Sequence, residues 1–372
     1  MSVPTTMKAL INEGGKMVLK ENVPVPKLTE TTMLVKTRAV GSNPFEALLI
    51  DFKFAPEGCI MGSDMVGEIV EIGSKVDQTQ YQVGDVVAAV INGGTVQFPD
   101  NGAYSEYVKV DPNTIFKFPK TLTFTKKTDV ATGKFDTWEA CASFPMVFYT
   151  ALAGTFYQLK LKLEWQPEEP QYDHPILIWG GATGVGQYAI QFVKQVHGFT
   201  KIIVVASKKH EKLLKSYGAD EIFDYHDEDV VEQITAKYDN LRTLMDCRSL
   251  PKTINQTYRC ASKTGKVILM QYVPSFVDCI DGENKRDNVE ITTTNLYQLN
   301  EVPITFGPMT VPVDPKYRAK IIECIKFFNP KLISGDIKHT PLKVYKGFEG
   351  AIEMVDDIRQ HKNSGIKFVS VL

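Results

Sequence analysis

The stretch Ile176-Leu-Ile-Trp-Gly-Gly-Ala-Thr-Gly-Val-Gly-Gln-Tyr-Ala-Ile-Gln-Phe-Val-Lys194 decides the fold of the middle of this chain. Four apolar residues, Ile176 to Trp179, read as a buried strand. Glycines follow at 180, 181, 184 and 186, and Tyr188, Ile190, Gln191 and Val193 then open a helical pattern. A strand, a glycine-rich turn and a helix N-terminus make a site for the pyrophosphate of a dinucleotide. Small residues admit the phosphates to the backbone, and the free N–H groups of the first helical turn bind their charge. The usual pattern places glycine first, third and sixth. Here Gly181 and Gly186 hold the first and sixth places, Thr183 the third, Gly184 the fourth and Val185 the fifth. Taken alone, the loop also fits a tight strand-to-helix turn that binds nothing.

The residues downstream favour the dinucleotide. Lys201-Ile-Ile-Val-Val-Ala206 reads as a second buried strand at the spacing of a βαβ unit. At the end of such a strand an NAD site carries Asp or Glu for the ribose 2′-hydroxyl. This chain has Ser207-Lys208-Lys209-His210 there. A hydroxyl and two ammonium groups suit a 2′-phosphate and leave no carboxylate to repel it, so the local chemistry predicts NADP(H). The same four residues would also serve as a solvated, basic start to the next helix.

Alternating strands and helices extend that unit. Strands are expected at 241–246 and 267–270, and helices at 147–160, 187–197, 211–217, 230–238 and 254–261. This alternation predicts a parallel sheet with helices on both faces. Before residue 145 the pattern is mostly β. Short apolar runs at 34–40, 65–72, 86–91 and 104–110 are separated by Gly, Pro, Asn and Asp. Residues 112–138, rich in Lys, Thr and Phe, read as a surface loop. A helix is expected over 317–328 and a closing strand over 367–372. At 372 residues the chain is long enough for two domains.

Composition bounds the function. The 42 basic and 44 acidic residues leave a net charge of −2, which implies neither nucleic acid nor an anionic membrane surface as partner. No apolar run approaches the ~20 residues of a membrane helix. Six cysteines are scattered without a C-x-x-C pair, and the N-terminus carries no secretory or transit pattern. Reduced thiols in the cytoplasm are therefore expected.

Ordered motifs along nearly the whole chain carry a resemblance: Met7-Lys-Ala9, Val40-Gly-Ser-Asn43-Pro44, Gly62-Ser-Asp64-Met-Val-Gly67, Val83-Gly-Asp85-Val86, Gly102-Ala-Tyr-Ser-Glu106-Tyr107, Thr150-Ala151, Tyr217-Gly-Ala219-Asp220 with Asp224-Tyr225, and Ser364-Gly365-Ile-Lys367. The sequence resembles the zinc-independent quinone oxidoreductase and enoyl reductase branch of the medium-chain dehydrogenase/reductase superfamily, its fungal members above all. The resemblance implies a GroES-like, β-rich catalytic domain made from residues 1–147 and 306–372. A Rossmann NADP-binding domain over 148–305 would be inserted in it, with the nicotinamide in the cleft between. It also implies cofactor contacts at Asn43, Thr150, Tyr225 and Lys367, beside those read from the loop and from Ser207, Lys208 and Lys209. A homodimer would be in keeping with it.

Zinc-dependent relatives carry a Cys ligand at the place of Asn43 and a His-Glu pair at the place of Ser63-Asp64. Asn is a poor zinc ligand and Ser an unusual one, residues 85–125 contain no Cys for a structural zinc lobe, and the histidines show no ligand spacing. No metal is expected. Hydride transfer without a Lewis acid suits conjugate reduction, in which charge collects on a carbonyl oxygen and needs donors aimed at it. Asn43 is the candidate catalytic residue, although a turn before Pro44 would favour Asn on backbone grounds alone. Phe52, Phe54, Tyr272, Leu296 and Tyr297 are candidates to shape the substrate pocket, and equally candidates for core. The expected function is NADPH-dependent reduction of α,β-unsaturated carbonyls, quinones or related small carbonyl compounds. Alternatives are an aldehyde reductase, a reductase acting in trans on polyketide-bound enoyl groups, and a non-catalytic NADPH binder of the crystallin-like or RNA-binding kind.

Overall fold

The computed structural model describes residues 3–273, 278–280 and 282–372. The chain divides into two compact units: Val147–Leu296, and the two chain ends, comprising residues up to Met146 and Tyr297–Leu372.

The inserted unit is a six-stranded parallel sheet. Its spatial order is Glu221–Phe223, Ile202–Val205, Ile176–Trp179, Thr243–Asp246, Val267–Gln271, Val289–Thr293. The strand Ile176–Trp179 is flanked by Ile202–Val205 on one side and Thr243–Asp246 on the other, so the winding reverses there. Such a reversal is where doubly wound folds bind ligands, at the carboxyl ends of the strands. All four residues of Ile176–Trp179 and of Ile202–Val205 are buried, as expected for strands covered on both faces. Leu177, Trp179, Ile203 and Val205 pack on one face with Ile234, Ile254 and Tyr258. Helix Gly184–Gln195 covers the other, where Phe148 meets Tyr188 and Phe192 edge-on at ring centroids of 5.1 and 4.7 Å. The alternating apolar pattern therefore gives the parallel sheet expected of it, in the Rossmann topology that the resemblance implies.

The unit of the chain ends is the β-rich, GroES-like one. A path of seven strands runs Ile115–Phe118, Val86–Val90, Asp64–Ile72, Met33–Gly41, Lys367–Val371, Leu342–Lys346, Asp129–Val130, and Tyr107–Val110 pairs alongside Met33–Gly41. The last strand of the chain thus lies between two others, antiparallel to Met33–Gly41 and parallel to Leu342–Lys346. Core residues come from both ends of the sequence, among them Val35, Val40, Met65, Tyr104, Met354 and Phe368. Tyr297 belongs with them: its ring lies 5.3 Å from those of both Phe45 and Phe306. Residues 112–138 are less of a loop than their composition implies. Ile115–Phe118 is a sheet strand, with Phe116 and Phe118 buried and Lys117 between them. Four residues flanked by lysines and threonines are too few to show an alternation. Among the described residues no helix is long and apolar enough to cross a membrane.

Candidate dinucleotide site and a buried ionic network

In the inserted unit, Trp179 ends its strand and Gly180 turns the chain with φ +76°, a conformation that disfavours any side chain. Helix Gly184–Gln195 begins at once, capped by Thr183, whose hydroxyl accepts the Gly186 N–H at 3.0 Å. The residue that departs from the usual glycine pattern is therefore the helix N-cap. Gly186 is required by close packing: a Cβ there would lie 2.5 Å from the Gly180 carbonyl oxygen and 2.7 Å from the Gly181 Cα. A Cβ on Gly181 would lie 2.3 Å from Val204. At Gly184 the neighbour is a side chain, Val147, 3.0 Å from the Cβ position. Thr150 follows Val147 by one turn of the helix Pro145–Leu152 and is half-buried. Ala182 to Val185 are partly exposed, as an open anion site requires.

The neighbouring strand Ile202–Val205 leads into Ser207, which is buried, and then into Lys208 and Lys209, which are exposed. The expectation that no carboxylate stands near needs correction. Asp224, at the end of the next strand, accepts the Lys208 N–H at 3.1 Å and, from His226, the backbone N–H at 3.0 Å, with the ring Nδ1 at 2.6 Å. Burial opposes its ionisation, yet the bonds from His226 and Lys208 hold its carboxyl below the usual range. The carboxylate is thus engaged by His226 and the Lys208 backbone while the two lysine side chains stay free of it. Tyr225, half-exposed, lies against the His226 ring with centroids 4.2 Å apart. Sequence reading missed Arg248. It is exposed, and its backbone N lies 3.1 Å from the place a Gly180 Cβ would take. Only the pairing of strands Ile176–Trp179 and Thr243–Asp246 brings it there.

The unit of the chain ends carries the second group of predicted residues. Asn43 is 2% exposed and precedes helix Pro44–Asp51. Its backbone N–H donates to Glu46 Oε2 at 2.7 Å. This contact is the Glu46 part of a capping box at the helix start. The Asn43 side chain also meets two charged partners. Nδ2 donates to Asp64 Oδ2 at 3.0 Å, and Oδ1 accepts from Lys367 Nζ. Lys367 Nζ also pairs with Asp64 Oδ2 at 3.0 Å, and both side chains are buried. The other Asp64 oxygen accepts the Met146 N–H at 2.7 Å. Glu46 is fully buried; desolvation, with the charge of Asp64 adding to it, raises its pKa to about 7. Tyr104 and Tyr297 face the same carboxyls, and burial raises both phenols. Asn43 and Lys367, far apart in sequence, are thus brought together. Glu46 and the pairing role of Asp64 were not foreseen, although Asn-x-x-Glu is a helix-start signal.

Residues 29–120 match the family described as alcohol dehydrogenase GroES-like domain, and residues 184–302 match the one described as zinc-binding dehydrogenase. The chain is 44% identical over 372 residues to the protein YNL134C of Saccharomyces cerevisiae, covering 100% of this chain and 99% of that one. It is 28% identical to "Trans-enoyl reductase caaB" of Aspergillus niger over 377 residues, 99% of this chain and 97% of the relative. Among solved structures, the quinone oxidoreductase from Coxiella burnetii superposes with a TM-score of 0.67 at 21% identity, covering 98% of this chain and 99% of that one.

Proposed function

The chain belongs to the medium-chain dehydrogenase/reductase family, in its enoyl reductase-like branch, and on that footing we propose that it is an NADPH-dependent, metal-free reductase of α,β-unsaturated carbonyls, quinones or related small carbonyl compounds. Membership makes it a nicotinamide-dependent oxidoreductase, and likeness to a trans-enoyl reductase favours a conjugated C=C bond as the group reduced. The observation that carries the reading is the capped glycine turn at the reversal of the parallel sheet, with Ser207, Lys208 and Lys209 on the neighbouring strand end.

When bound, NADPH supplies the hydride. In this reading the partly exposed turn Gly181–Gly186 and the first turn of its helix bind the pyrophosphate. Ser207, Lys208 and Lys209 hold the 2′-phosphate, with Tyr225 beside them and Thr150 and Arg248 available to the rest of the cofactor. Asn43 steers the reacting groups. An amide nitrogen carries two hydrogens, and one is donated to Asp64. The second is the donor we assign to the oxygen on which charge collects.

Two measurements test this. Replacing Lys208 and Lys209 together by Ala should weaken NADPH binding by roughly 1–3 kcal/mol, the scale of charged hydrogen bonds, and leave NADH nearly unchanged. Equal losses for both cofactors would place the 2′-phosphate elsewhere. Oxidation of NADPH should be followed across a series of enones, quinones and aldehydes. No turnover with any of them would leave a binding protein as the better reading.

A further inference from the structure

We propose that Lys367 is a positioning residue for Asn43, a cation built into the chain whose buried ammonium fixes the Asn43 amide and leaves no place there for a metal ion. The inference rests on the proposed reductase reading for its activity readout and on the geometry for the rest.

The zinc-binding description matched over residues 184–302 raises the question of a metal. Zinc takes nitrogen, thiolate or carboxylate ligands in fours, or in threes with an open position. Around Asn43 the available donors are one amide oxygen and the carboxyls of Asp64 and Glu46; the amide oxygen and one Asp64 oxygen are already directed at an ammonium group, and Glu46 accepts the Asn43 N–H. The remaining Asp64 oxygen is engaged by a backbone N–H. A dication placed between Asn43 Oδ1 and Asp64 Oδ2 would sit within contact distance of Lys367 Nζ, where like charges repel strongly in a buried site. Among the described residues, no group of three or more His, Cys, Asp or Glu side chains converges to replace those donors. The residues present do not fit a zinc ion.

They fit the lysine instead, with a specific result. An ammonium can only donate and an ionised carboxylate can only accept. Asn43 lies between one of each, so its amide has a single satisfied orientation, oxygen toward Lys367 and nitrogen toward Asp64. Without the ammonium the amide oxygen loses its partner, and only the Asp64 contact still holds the group, so its aim is less firmly fixed. A buried ion pair is weak evidence for stability in itself, because removing two charges from water offsets much of their attraction. Fixing one orientation of a neighbour is a reason to keep it.

The test is Lys367→Ala, assayed with NADPH and a small enone. Turnover should fall about 10- to 100-fold, the scale on which loss of a supporting partner acts at such sites, while the Kd for NADPH stays unchanged. Propylammonium, which can refill the vacated space, should restore part of kcat; propanol should not. Full turnover in the folded variant would overturn the proposal. So would a Kd for NADPH that weakens in step with kcat, since Lys367 would then be a cofactor ligand. Stoichiometric zinc uptake by the wild type would overturn it as well. If the single variant does not fold, Asp64→Asn/Lys367→Met removes both charges together. Wild-type turnover in that variant would overturn the proposal, and reduced turnover with normal NADPH binding would support it. Should no carbonyl compound be turned over at all, the reductase reading fails separately. The Asn43 side-chain amide then decides by NMR: its two proton signals should be shifted and slowly exchanging in the wild type and revert in Lys367→Ala, and identical signals in both would count against the orienting role.

Discussion

Burial of the Glu46 carboxyl, reinforced by the charge of Asp64, raises its pKa to about 7 from an ordinary 4.5. The folded chain therefore holds this proton more tightly than the unfolded chain does. Between about pH 4.5 and about 7 unfolding releases it, so this group's contribution to stability falls as pH rises and the loss is complete above about 7. At about 1.4 kcal/mol per pKa unit, the full penalty is roughly 3 kcal/mol. Glu46→Gln keeps an acceptor for the Asn43 N–H and carries no charge. Its stability relative to wild type, measured by urea titration, should rise from pH 5 to pH 8; parallel curves would show that Glu46 does not ionise in this window. Asn43 and Lys367 were recognisable from their motifs because each stands in a short fixed pattern. Their partnership was not, since it depends on two strands meeting from opposite ends of the sequence.

The turn between strand Ile176–Trp179 and helix Gly184–Gln195 was legible almost residue by residue, because an apolar run, four glycines and a hydroxyl cap each leave a local mark. What could not be read was which glycine does which work. Gly186 abuts the backbone of its own turn, so Gly186→Val should act mainly by lowering the melting temperature. Gly184 has the Val147 side chain as its nearest neighbour, so Gly184→Val should cost less stability and weaken NADPH tenfold or more by obstructing the phosphates. Calorimetry and cofactor titration on the two variants separate these effects; normal NADPH affinity in Gly184→Val would move the phosphates off this loop. Thr183→Ala should cost about 1 kcal/mol, as loss of an N-cap does. Strand Ile115–Phe118 was hidden for the opposite reason. It is short, and its place is fixed by pairing with Val86–Val90 rather than by its own pattern.

Across the whole molecule, the alternation of strands and helices was enough for the parallel sheet, and short apolar runs marked the residues before 145 as mostly β, while the joining of both chain ends in one unit was read through motif resemblance. Pairing between the first and last parts of the chain has no local signature. Its importance can be measured. Deleting residues 367–372 removes an interior strand of the sheet, together with Lys367. The shortened chain should be largely insoluble or open to protease in the unit of the chain ends; a soluble, protease-resistant product would show the strand to be dispensable. The same strand order constrains how the protein can be made. Synthesis runs from the N-terminus and domains fold as they emerge. The strands of the inserted unit lie within one continuous stretch of chain, so that unit can complete itself while the ribosome is still translating. The unit that begins first must finish last. Until Lys367–Val371 leaves the exit tunnel, residues 39–41 present an unpaired edge, the kind that recruits other chains. The interval in which a nascent chain could aggregate or engage a chaperone is therefore set by how long translation takes from strand Met33–Gly41 to strand Lys367–Val371.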